Sequence, residues 1–103
     1  MKLTDAIFLV CKYHKDDTKL PYVLDVLMEV WEFPLPYKIV AVLHNILETK
    51  ITIDKLAELG YDSDVIEAID TLTQREGEIT EDYTKRISEN RIALIIKEKM
   101  NNV

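Results

Sequence analysis

Pro36-Tyr-Lys-Ile-Val-Ala-Val-Leu-His-Asn-Ile-Leu-Glu-Thr49 decides the fold. Ile39, Val40, Val42, Leu43, Ile46 and Leu47 cover more than one face of a helix, and a helix so apolar belongs at the centre of a domain. The spacing predicts one helix from about Pro36 to Thr49. Upstream, Glu32-Phe-Pro-Leu-Pro36 breaks the pattern, because two prolines bar helix continuation. A second helix therefore ends near Trp31, and Pro21 suits its first turn, where a missing N–H costs little. A first helix runs from about Leu3 to His14, with Leu3, Ala6, Ile7, Val10 and Cys11 on one apolar face. Residues 15–19 form a polar link.

Downstream of the central segment, the helix signals come at short intervals. Thr52 caps a fourth helix that Gly60 ends in the left-handed position. Asp62 or Ser63 caps a fifth, which buries Val65, Ile66, Ile69 and Leu72. Gly77 lies in a longer loop. Thr80, followed by Glu81 and Asp82, starts a sixth helix with acids at its positive end. Asn90 caps a seventh, with Ile92, Ile95 and Ile96 inward. Strand-type alternation is absent and there are 2 glycines. The fold class is all-α: a compact irregular bundle of about seven helices rather than an up-down four-helix bundle.

The chain has 103 residues, the size of a single domain, 1–103. Its mass of 12.0 kDa predicts a folded surface of roughly 6,000 Å² against about 17,000 Å² unfolded, enough burial for a core. Lys and Arg number 13 against 19 Asp and Glu, for a net charge of −6. Without a basic run, such a chain is a poor nucleic-acid binder, although a few local cations suffice for a small phosphorylated ligand. No apolar run approaches ~18 residues, so no membrane span is read. The apolar start, interrupted by Asp5 and lacking a small-residue cleavage site, reads as a helix rather than a signal peptide. Cys11 is the single cysteine, which suits a reducing, cytoplasmic location.

Few residues carry chemistry. His44 sits in the most apolar segment and needs a hydrogen-bond partner or a metal. Glu48 is four residues on, so a continuous helix would put both on one face. Asp25 interrupts the apolar run Val23-Leu-Asp-Val-Leu27. It either faces water or needs several donors. His14, at a helix end, is placed to meet the last carbonyls. Tyr22, Trp31, Phe33 and Tyr37 read as core and loop packing. Phosphate loops, zinc spacings and nucleophile elbows are absent.

The order of these pieces resembles the HD-domain metal-dependent phosphohydrolases. It is most similar to the hydrolase domain of the alarmone (guanosine tetraphosphate) synthetase/hydrolases and their small stand-alone relatives. Ala6, Val10 and His14 match an A…A…H helix. Lys19-Leu-Pro-Tyr-Val-Leu-Asp25 is similar to K-x-PY-x-x-H, and Ala41-Val-Leu-His-Asn-Ile-Leu-Glu-Thr49 to A-x-LHD-x-x-ED. Residues 52–60 look like T-x-x-x-L-x-x-x-G. Leu72-Thr-Gln-Arg75, Gly77-Glu78 and Asp82-Tyr83 look like LT-x-R-x-GE followed by E-x-Y. Lys97 matches a lysine three residues before the last metal-binding aspartate.

The resemblance implies an HD-like helical fold and identifies the family's metal positions with Asp25, His44, Asn45 and Met100. Among these only His44 is unchanged. Asn45 offers a neutral oxygen and Met100 a soft thioether, both poor for a hard cation such as Mn²⁺. The acidic pair after the motif becomes Glu48-Thr49. By the same resemblance, Lys19 and Tyr22 become ligand-binding candidates. The leading expectation is an HD-like domain with a degenerate metal site and no cofactor, inactive, acting by binding a nucleotide or protein partner or by self-association as a homo-oligomer. The alternative is a divergent phosphohydrolase, with Mn²⁺ or another divalent ion on Asp25 and His44 and with Glu48 as the catalytic residue orienting water. A purely structural or regulatory small protein is the third role.

Overall fold

The central segment is a helix, but a shorter one than its apolar pattern predicts. In the computed structural model, which describes residues 2–13 and 19–103, α3 spans Leu35–Leu43. His44 and Asn45 follow as a turn, and Ile46–Glu48 form one 3-10 turn. Asn45, at φ −105° and ψ 6°, has left the α region. Thr49 then takes an extended conformation, and its hydroxyl donates back to the Ile46 carbonyl at 2.6 Å. Asn and Thr side chains compete with the helix for backbone partners, whereas Ile46 stays fully buried. Burial is therefore continuous while the hydrogen-bond pattern changes, which is why periodicity overran the end.

Around α3 lie α1 (Leu3–Tyr13), α2 (Lys19–Glu29), α4 (Ile53–Glu58), α5 (Ser63–Leu72), α6 (Thr80–Ser88) and α7 (Arg91–Met100). The described residues contain seven α-helices and no strand, an all-α bundle. α3 packs against α1, α2, α5 and α7, and Ile39 through Leu43 are all buried. The radius of gyration is 12.7 Å, close to the ~13 Å of a compact chain this long. The surface, 6373 Å², also lies near the expected area. No helix of the described residues is long and apolar enough to cross a membrane.

Several local signals act as read. Thr52 Oγ1 accepts from the Lys55 N–H at 3.1 Å, and Asn90 Oδ1 from the Ala93 N–H at 2.9 Å. Each satisfies an N-terminal donor that the helix itself cannot. Gly60 at φ +92° follows α4, and Gly77 at φ +77° turns the α5–α6 loop. Both conformations are open to glycine and strained for other residues.

Other positions differ from the reading. Asp62 precedes α5 without a side-chain cap bond. Thr80 is the first residue of α6, with Ile79 before it at the cap position and no side-chain cap. Cys11 is exposed, beyond the edge of the face buried by Ala6 and Val10. On α7 the fully buried residues are Ala93 and Ile96, with Ile92 and Ile95 half-buried. α2 begins at Lys19, so Pro21 is in its first turn, and it ends at Glu29 rather than Trp31. His14 and residues 15–18 lie outside the described residues.

Candidate functional site

The break after α3 places His44. Helical geometry leaves the last four carbonyls of α3 without intrahelical donors. His44 Nδ1 lies 2.6 Å from one of them, the oxygen of Ala41. A carbonyl only accepts, so the Nδ1 proton is donated, and in the neutral ring the lone pair sits on Nε2. The same bond thus caps α3 and fixes the tautomer in the form a metal-binding histidine uses. His44 is 2% exposed. Tyr22, half-buried on α2, stands edge-on to its ring at 5.8 Å and 77°. Burial raises the Tyr22 hydroxyl pKa above its ordinary value, which keeps it neutral.

The other residues that the resemblance assigns to the metal, and the catalytic candidate Glu48, are less buried than His44. Asp25 and Glu48 are exposed. Because Glu48 belongs to the 3-10 turn, it is not one α-helical turn above His44 on a common face. Asn45 is half-buried, and Met100 packs partly buried against the core. No group of three or more His, Cys, Asp and Glu among the described residues could hold a metal ion. An imidazole, an exposed carboxylate, a neutral amide and a thioether are a weaker donor set for a hard divalent cation than one rich in carboxylates. Of the two ligand-binding candidates, the structure brings Tyr22 to His44, while the Lys19 side chain lies outside the described residues.

A second polar constellation lies at the end of α5. Its last four carbonyls are Ile69, Asp70, Thr71 and Leu72, and each has a donor. Thr73 supplies two: its hydroxyl to Ile69 at 3.0 Å and its N–H to Asp70 at 3.1 Å. From α6, Arg86 donates to Thr71 at 3.0 Å and Tyr83 to Leu72 at 2.6 Å. The cation at this helix end also opposes the negative end of the helix dipole.

Glu78 holds Arg86 in place. The guanidinium donates through Nε to Oε2 at 3.0 Å and through Nη2 to Oε1 at 2.7 Å, a bidentate fork. The Arg75 N–H adds a third bond to Glu78 at 3.0 Å. The Arg86 fork and then the Arg75 N–H hold the Glu78 carboxyl at about 2, against an ordinary 4.5. The Thr73, Arg75, Gly77, Glu78 and Tyr83 pieces of the motif thus build a loop clamp. Arg86 is its centre and escaped the sequence reading. The signal was there: Tyr83 and Arg86, three apart on one helix, follow an acid in a glycine turn.

Beside the clamp is a depression lined by Glu78, Asp82, Lys85, Arg86 and Glu89. It mixes both signs of charge, and its main cation is already occupied by Glu78. No protein-family model and no curated protein matches the chain.

Proposed function

We propose that this chain is an HD-domain-like protein with a degenerate metal site. It is catalytically inactive and acts in the cytoplasm by binding a nucleotide or a protein. The observation that supports this most is the state of the four metal positions. His44 keeps the residue type and tautomer of a ligand, while Asp25 is exposed and Asn45 and Met100 are weak donors for a hard ion. With no ion held, no bound water is made nucleophilic near neutral pH. A scaffold can persist while its site changes.

A manganese titration followed by calorimetry tests this. The expected result is no saturable binding up to millimolar metal. The folded double variant Asn45→Asp, Met100→Asp regains measurable affinity, because two carboxylates join His44. Micromolar binding by the unaltered protein would restore the phosphohydrolase reading. A folded double variant with no gain would overturn the match of Met100 to the last ligand.

A further inference from the structure

Among its described side chains, α2 is buried on one arc. Val23, Val26, Leu27 and Val30 face the core and are at most 5% exposed. The outer surface carries two parallel rows. Leu24, Met28 and Trp31, spaced i, i+4, i+7, are 40%, 68% and 51% exposed. Asp25, Glu29 and Glu32, each one residue further on, form an exposed acidic row beside them. Trp31 lies in the tightened turn that continues α2, its N–H donating to Met28 at 3.3 Å. The Lys38 ammonium sits 4.7 Å over its ring, a cation–π contact that supports the indole at the surface. Single exposed apolar residues are ordinary. Three at helical spacing make a continuous strip of the kind that marks an interaction site.

We propose that this face docks a basic amphipathic helix of a partner protein. Apolar residues of that helix lie on Leu24, Met28 and Trp31, and its Lys or Arg side chains pair with Asp25, Glu29 and Glu32. Charge selects the occupant. A second copy docking antiparallel about a two-fold axis would set each acidic row against its own image, and in either orientation it brings a second net charge of −6, which is repulsive. The net charge of −6 favours a cationic partner at longer range as well. The proposal rests on the binding role given above, in its protein form, and shares with the degenerate metal site the exposed Asp25 alone.

Trp31 is the single tryptophan, so its emission reports this face alone. The probe is a designed helical peptide with leucines at i, i+4, i+7 flanked by lysines. Its mirror in charge, with glutamates for lysines, is the control. The lysine peptide shifts the emission to the blue and saturates at about micromolar concentration, and added salt weakens it. Met28→Asp separates docking from general attraction. It adds a negative charge, so simple electrostatic binding would tighten, whereas loss of a central apolar contact weakens docking about tenfold or more. The triple variant Asp25→Lys, Glu29→Lys, Glu32→Lys reverses the preference towards the glutamate peptide.

Three results would overturn the proposal: no blue shift at millimolar lysine peptide, equal response to both peptides, or affinity unchanged in Met28→Asp. Concentration-dependent dimerisation in sedimentation, abolished by Met28→Asp, would overturn it too by giving the face to a second copy. Manganese binding reads His44 and peptide binding reads Trp31, so each proposal can fail without the other.

Discussion

The ends of α3 and α5 pose the same problem and solve it differently. Each leaves buried or half-buried carbonyls that need donors. At α3 the answer is local: His44 turns back three residues to Ala41, and in the 3-10 turn that follows Thr49 turns back three to Ile46. At α5 half of the answer comes from another helix, with Tyr83 and Arg86 reaching carbonyls 11 and 15 residues away. The local solution stands in an apolar environment and serves the helix that carries it. The distant one also fixes the α5–α6 loop through Glu78. The histidine that the motif singled out also caps a helix, and a loop that looks like punctuation is a densely bonded polar region.

Breaking the first end has the largest expected effect. His44→Ala removes a buried ring and leaves the Ala41 carbonyl without its side-chain donor. Lost packing and the lost bond together destabilise the fold by about 3 kcal/mol. Urea unfolding checks this as a lower midpoint at unchanged slope. Breaking the second end costs less, because Arg86 is 25% exposed and water can replace part of what it gives. Arg86→Ala lowers stability by about 2 kcal/mol, the range for bonds to a charged donor. Arg86→Lys recovers only part of it, since an ammonium cannot reproduce the planar fork. Hydrogen exchange localises the loss to the end of α5 and the following loop while α3 stays protected.

The smallest effect is one of pH and belongs to the second end only. Folding lowers the Glu78 carboxyl from 4.5 to about 2, so the folded state favours its charged form. The stabilisation is complete above about pH 4.5 and is lost as pH falls through about 2. An NMR titration of the Glu78 side-chain carboxyl has its midpoint near 2 in the parent. In Arg86→Ala the midpoint moves up towards the ordinary range.

What the sequence disclosed follows the same division. The caps at Thr52 and Asn90 and the turns at Gly60 and Gly77 were legible, because their partners lie within a few residues. The end of α3 was not, since apolar burial continues through the 3-10 turn and periodicity sees only burial. Arg86 was hidden because its carbonyl partners, Thr71 and Thr73, are set by how α6 packs on α5. The HD-like motifs named Tyr22 and His44, which do meet. They also named Asp25 and Glu48, which the structure leaves at the surface.

The place of α7 has a consequence for how the chain acquires its structure. This last helix packs against α2, α3, α5 and α6 and brings Ala93 and Ile96 into full burial. A nascent chain leaving the ribosome therefore carries its central helix with one wall missing until α7 has followed. It exposes apolar surface until the last helix has emerged. A chain cut before Arg91 would be a client for chaperones and proteases rather than a smaller version of the same domain.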